Sequence, residues 1–96
     1  MTNGIILATN VSGAQTTTPV EWIGGHCALV LVAGAYDGTT GFLQLIGPNG
    51  TAVNINASKF TANSATTYDL PAGLYQLSLG SSTSGLYANL VSVPYA

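Results

Sequence analysis

Residues 24–34 read GGHCALVLVAG and contain the only histidine and the only cysteine of the chain, His26 and Cys27. A thiolate beside an imidazole is the nucleophile and base of cysteine hydrolases, and both side chains also bind zinc. Neighbouring residues of a strand point to opposite faces, so these two side chains do not meet unless Gly24 and Gly25 distort the backbone. We therefore expect Cys27 to be a small buried hydrophobe and His26 to be a strand-end residue with a local partner or at a subunit contact.

The acidic residues Glu21, Asp37 and Asp69 are the remaining candidates for acid–base or metal chemistry. A paired-carboxylate mechanism needs two acids that face one cleft, and a calcium site needs several carboxylates close together. The three acids are scattered in the sequence, and both Asp37 before a glycine and Asp69 shortly before Pro71 are typical of turns. The chain also lacks a second histidine and a phosphate-binding loop, so the sequence predicts no enzyme, no cofactor and no metal site.

Aromatic residues offer a third kind of chemistry. Trp22 and the tyrosines could form a platform that stacks on sugar rings while Asn and Gln amides bind the hydroxyl groups. The alternative is that Trp22 plugs one end of the core and that Tyr36, Tyr75 and Tyr87 surround it, as large aromatic side chains commonly do. The core interpretation is the preferred one, and carbohydrate binding stays open.

Charge is nearly absent from the 96 residues. Lys59 is the single basic residue beside three acidic residues, and the net charge is -2. Charged residues make up 4% of the chain, against about 25% in an ordinary soluble domain. Nucleic acids and anionic membranes attract Lys and Arg, and a bilayer span needs about 20 apolar residues, so neither partner is expected. A near-neutral protein is weakly protected against self-association. This composition favours a protein that assembles with copies of itself or on a large surface, with a neutral secreted domain as the alternative.

The elements that would position these residues are strands. Val, Ile, Thr, Tyr and Leu alternate with glycine, asparagine and proline turns, and no segment has capped helical spacing. The residues 26–36 and 42–46 are predicted to form a hairpin. ALVLVA is apolar at successive positions, which predicts a strand covered by the core on one face and by a partner or a loop on the other. Phe60 is expected to tuck inward from a loop. The predicted strands are 5–9, 17–23, 26–36, 42–46, 51–57, 66–70, 74–79 and 86–93.

This pattern predicts an all-β chain, a single antiparallel β-sandwich of jelly-roll or immunoglobulin-like type with about seven or eight strands. The domain spans residues 1–96, with an apolar N-terminal segment and a short C-terminal tail. Its start lacks the basic region and long apolar run of a signal peptide, which predicts synthesis in a cytosol or a mature form.

Several segments together resemble the small β-sandwich proteins with which tailed bacteriophages decorate or cement their capsids. These segments are EWIGG at 21–25, VAGAYDG at 32–38, FLQLIGPNGT at 42–51, DLPAGLY at 69–75 and SGLYANLVSVP at 84–94. The resemblance covers most of residues 20–94, and its motifs are mainly turns and core positions.

The resemblance implies a structural protein of the virion that is made in the host cytoplasm and binds the capsid surface without catalysis. Its partners would be further copies of itself, as a homotrimer, and the major capsid protein. The competing hypothesis from another class is a carbohydrate-binding or adhesive β-sandwich of a fibre or a secreted protein. No family motif marks the interface, so its candidates are apolar residues near the two ends and the tryptophan: Ile5, Ile6, Leu7, Trp22, Val93, Pro94 and Tyr95.

Overall fold

The computed structural model of the chain describes residues 4–37, 40–56 and 58–93. In this part of the chain the backbone forms nine β-strands, one 3₁₀ turn at Pro48–Gly50 and no α-helix, so the prediction of an all-β chain is confirmed. The strands are β1 (Gly4–Val11), β2 (Gln15–Thr16), β3 (Val20–Trp22), β4 (Gly25–Val32), β5 (Gly41–Ile46), β6 (Ala52–Asn54), β7 (Ser64–Leu70), β8 (Gly73–Leu79) and β9 (Leu86–Ser92).

The strands form two antiparallel sheets. One sheet has the order β1-β9-β4-β7, and the other has the order β2-β8-β5-β6 with β3 also paired to β8. Strands β2 and β3 pair with successive parts of β8 on either side of Pro19, because proline has no N–H to donate to a ladder. The predicted strand 17–23 is therefore shortened to β3, and the short strand β2 lies before the predicted range. The described residues hold nine strands, where about seven or eight were predicted.

The strand pairings are nested about the turn at 47–51. Strand β5 pairs with β6, β4 with β7, β2 and β3 with β8, and β1 with β9. The pairings of β4 with β9 and of β5 with β8 then join these four antiparallel units into the two sheets. The two halves of the chain thus run antiparallel to each other from the central turn outward.

Both sheets bury side chains in one shared hydrophobic core. Strand β8 has the alternation that the sequence predicted, with Tyr75, Leu77 and Leu79 buried and the residues between them turned away. Strand β4 buries every second residue in the same way. The other buried hydrophobic residues are Leu7, Ala8, Trp22, Cys27, Leu29, Leu31, Leu43, Leu70, Leu86, Ala88 and Leu90.

The predicted hairpin between residues 26–36 and 42–46 is wrong, because β4 and β5 lie in different sheets. Strand β4 ends at Val32, since the backbone N–H of Ala33 donates to Oδ1 of Asn63 at 3.0 Å instead of to a strand. Ala35 then forms an isolated bridge with Ser84. This segment therefore carries the chain across to the other sheet rather than back along β4.

Strand β6 ends at Asn54, before the predicted end at Ala57. Beyond this end, the side chain of Asn56 makes hydrogen bonds to β5 that the backbone of a longer strand would have made. Oδ1 of Asn56 accepts the N–H of Leu43 at 2.8 Å, and Nδ2 of Asn56 donates to the carbonyl of Gly41 at 3.3 Å. This amide completes the edge of β5 where a longer β6 would have paired. The predicted strand end, Ala57, lies outside the described residues.

The segment that follows β6 agrees with the sequence in one respect and differs in another. Phe60 is half-buried and packs against the core, as predicted. Strand β7 begins at Ser64 rather than Thr66 and pairs with β4 over its whole length, from Gly25 opposite Leu70 to Leu31 opposite Ser64. It is therefore a full edge strand of the four-stranded sheet.

Candidate functional site

His26 and Cys27 lie on opposite faces of β4. The thiol of Cys27 is fully buried in the core, whereas Nδ1 of His26 lies on the outer side, 2.8 Å from Oδ1 of Asp69. His26 and Asp69 are directly opposite each other in the β4–β7 ladder. The local partner expected for His26 is thus present, and the interpretation of Asp69 as a turn residue is wrong, because Asp69 belongs to β7.

The environment of Cys27 makes its thiol unreactive. Burial raises the pKa of the Cys27 thiol above its ordinary value, and the negative charge of Asp69 raises that pKa further. A raised pKa leaves less thiolate at neutral pH, and the thiolate is the nucleophilic form. The arrangement therefore suits packing rather than catalysis.

We expect Cys27 to react with a thiol reagent such as iodoacetamide at least about 100-fold more slowly in the native protein than in denaturant, because reaction requires the core to open. The measurement is the labelling rate followed by intact mass. The control is the double variant Cys27→Ala, Thr9→Cys, whose thiol lies at an exposed strand position and should label quickly in both states. Equal native and denatured rates for Cys27 would show that the residue is not buried.

Asp37 does more than the predicted turn residue, because its buried carboxylate joins two loops. Its Oδ1 accepts the backbone N–H of Thr40 at 3.0 Å, and its Oδ2 accepts the backbone N–H of Ser82 at 2.9 Å. The third acid, Glu21, is exposed on β3 opposite Leu74. The three carboxylates therefore occupy three separate places, and no group of three His, Cys, Asp or Glu side chains among the described residues could hold a metal ion.

Trp22 is a core residue and offers no surface for a sugar ring. Its side chain is 1% exposed, and its Nε1 has no hydrogen-bond partner in the described part of the chain. Tyr75 is also buried and donates its hydroxyl to the carbonyl of Pro71 at 2.7 Å. Tyr36 is half-buried and donates to Oδ1 of Asn63 at 2.9 Å. The core interpretation is thus confirmed for Trp22 and Tyr75 but is wrong for Tyr87, which is 49% exposed on the outer side of the four-stranded sheet.

The most distinctive surface is the outer side of the four-stranded sheet, which we call the outer apolar face. Three of its side chains are largely exposed, at 63% for Ile6, 50% for Val32 and 49% for Tyr87. Val32 is directly opposite Tyr87, and Val30 lies opposite Asn89, which also pairs with Ile6. The members of the outer apolar face are Ile6, Ala28, Val30, Val32, Tyr87 and Val91.

No other strand of the described chain covers the outer apolar face, where Ile6, Val32 and Tyr87 are about half exposed or more. Strand β4 pairs only with β7 and β9. The core covers one face of ALVLVA, as predicted, and the second cover, expected from a partner or a loop, stays a prediction. One face of β4 lies in the core, and the other is open to solvent or to another molecule.

The predicted interface residues divide between this face and the core. Ile6 points outward, whereas Leu7 is buried and Ile5 is half-buried against the core. A register shift in the β1–β9 ladder between Ile6 and Ala8 turns both Leu7 and Ala8 inward. Leu7 and Trp22 are thus corrected from interface candidates to core residues.

Of the three C-terminal interface candidates, the described residues contain only Val93. Val93 is half-buried, and its backbone N–H donates to the carbonyl of His26 at 3.0 Å, which extends the β9–β4 ladder. Pro94 and Tyr95 lie outside the described residues.

The outer side of the other sheet carries a ladder of amides that the sequence analysis missed. Nε2 of Gln76 donates to Oε1 of Gln44 at 2.8 Å, and Nε2 of Gln44 donates to Oδ1 of Asn54 at 2.9 Å. The three residues lie on β8, β5 and β6, and no local sequence signal brings these strands together. The outer side of this sheet therefore differs from the outer apolar face in its row of hydrogen-bonded amides.

Comparison with known proteins supplies no relative, because no family model, curated protein or solved structure matches this chain. Among the described residues, no helix is long and apolar enough to cross a membrane.

Proposed function

We propose that this chain is a structural protein of a bacteriophage virion, which decorates or cements the capsid as a homotrimer and has no catalytic role. The observation that carries the proposal is the outer apolar face. Exposed Val32 and Tyr87 pair across β4 and β9 beside the half-buried Val30, and exposed Ile6 lies on β1 on the other side of Asn89. Exposed apolar side chains grouped on one face of a sheet are typical of sites that bind another protein. The major capsid protein is the partner that we propose for it.

The low charge of the chain supports the same proposal. A protein with 4% charged residues has little electrostatic protection against association. Such a surface is compatible with a permanent place on a large neutral assembly, where many small contacts add up. It does not suit a protein that must stay free in solution at high concentration.

The strand order supports a β-sandwich of the jelly-roll type within this proposal. When β2 and β3 are counted as one strand interrupted at Pro19, the chain has eight strands in sequence. One sheet then contains the first, eighth, third and sixth strands, and the other contains the second, seventh, fourth and fifth. This nesting is the order of a jelly roll, an architecture found in viral capsid proteins and in lectins.

The carbohydrate-binding alternative has less support. The tryptophan that would have stacked on a sugar is in the core, and the outer amides are bonded to one another. Tyr87 is exposed, but it lies on the sheet opposite to these amides. We accordingly expect no glycan ligand on a glycan array.

The test is binding of the purified protein to capsid shells of the source particle that lack it, measured by co-sedimentation. We expect Val32→Lys to weaken binding at least about 10-fold, because an unpaired ammonium would be buried in an apolar contact. The matched control is Val53→Lys on β6 of the other sheet, since Val32 and Val53 are 50% and 53% exposed. The control should bind like the parent protein.

Two results would contradict this proposal. One is failure of the parent protein to bind the shells, particularly together with a positive glycan array. The other is equal binding by Val32→Lys and Val53→Lys, which would remove the outer apolar face from the contact.

A further inference from the structure

The two sheets have four edges at which another strand could pair, and at three of these edges the strand is irregular or short. Strand β1 has two register shifts along β9, strands β2 and β3 are separated around Pro19, and β6 has only three residues. Bulges, prolines and short edge strands are the devices by which proteins prevent unwanted strand pairing. These three edges are therefore poor templates for another strand.

The fourth edge, β7, has none of these devices. Its seven residues, SATTYDL, contain no proline and no lysine. They pair with β4 in a continuous register without a bulge. Among the described strands β7 pairs only with β4, and five of its seven residues are exposed, so its other side is open. The only charged residue, Asp69, lies near one end and bonds His26. Backbone N–H and C=O groups along this side are thus available to a further strand.

We infer that the β7 edge pairs with β7 of a second copy of this chain, antiparallel across a two-fold axis at Thr67. This is the register in which all seven residues of both strands are paired. It places Asp69 opposite the partner's Ala65. Directly opposite residues share a face of a sheet, so the two outer apolar faces would lie side by side on one continuous eight-stranded sheet.

The charges of the strand are compatible with this self-pairing. In the proposed register, the two Asp69 carboxylates are separated by four residue steps, about 14 Å along the strand. That separation exceeds the screening length of about 8–10 Å at physiological ionic strength. Thr66 would face the partner's Tyr68, and the two Thr67 side chains would face each other, so no like charges meet. A second copy is therefore a suitable occupant of this edge.

The inference does not depend on capsid binding, because it concerns the edge of the sheet rather than its outer face. A two-fold contact produces a dimer, or a hexamer if the proposed three-fold contact forms as well. The mass of the isolated protein in solution therefore tests the β7 contact, whereas the co-sedimentation experiment tests the proposed function.

The experiment uses native mass spectrometry and analytical ultracentrifugation of the full chain and of two variants, Thr67→Lys and Thr67→Glu. Thr67 is exposed on the outer side of β7, so both variants should keep the β-sheet circular dichroism of the parent. Each variant alone places like charges opposite each other, and we expect its dimer dissociation constant to rise at least about 10-fold. An equimolar mixture should restore the dimer, because lysine then faces glutamate. The control, Thr9→Lys on the bulged edge, should keep the mass of the parent.

A monomeric or trimeric parent protein would overturn the inference. So would an unchanged dissociation constant for Thr67→Lys, or a mixture of the two folded variants that does not form the mixed dimer.

Discussion

Replacing Leu29 with alanine is expected to lower the free energy of unfolding by about 2–5 kcal/mol. Leu29 is fully buried at the centre of β4, between β7 and β9. Truncation removes apolar contacts and leaves a cavity that paired strands on both sides prevent from collapsing. A domain of this size has a stability of about 5–15 kcal/mol, so the change would remove a large part of it. Denaturant unfolding followed by circular dichroism measures the effect.

The matched control for this prediction is Val32→Ala on the same strand. Val32 lies on the outer apolar face and is half exposed, so its truncation should change the free energy of unfolding of the isolated protein by about 0.5 kcal/mol or less. Similar losses for the two variants would mean that the core does not lie on the Leu29 side of the sheet.

The second large effect is expected from Asp37→Ala, which should lower the free energy of unfolding by about 2–4 kcal/mol. The variant leaves the N–H groups of Thr40 and Ser82 without the carboxylate that accepts them. Hydrogen bonds to a charged group are stronger than neutral ones, and the variant removes two of them, both partly buried. Thermal unfolding would show this as a fall in Tm of about 10 °C or more.

A substitution at Gly80 tests whether the Asp37 carboxylate causes the loss in the free energy of unfolding. A Cβ atom built on Gly80 would overlap the Asp37 side chain, so Gly80→Ala should be strongly destabilising alone and nearly neutral in the Asp37→Ala background. The double-mutant cycle isolates this coupling. Additive effects would show that the two residues act independently.

The features that the sequence predicted correctly are local. The inward residues of β8 follow from the alternation in LYQLSL, and an extended backbone places alternate side chains on opposite faces. The same rule separates His26 from Cys27 without any knowledge of the fold. The tight turn at Pro48 and Gly50 was also predicted, because these residues suit its backbone angles.

The features that the sequence did not predict depend on residues far apart in the chain. Asp69 was interpreted as a turn residue because it precedes Pro71, yet it is placed opposite His26 by the β4–β7 ladder. The amides of Gln44 and Gln76 meet because β5 lies beside β8. A turn signal at Asp37 shows that the chain bends, but it does not show whether the next strand joins the same sheet.

The sequence by itself determined that this chain is all-β and nearly uncharged, that His26 and Cys27 lie on opposite faces of β4, and which residues of β8 point inward. Each of these properties follows from composition or from the two-residue period of a strand. Only the tertiary structure decided that β4 and β5 belong to different sheets, that one side of ALVLVA is open, and that β7 is an uninterrupted edge. The physical reason is that strand pairing uses backbone groups common to every residue, so the choice of partner depends on how all the strands share one core.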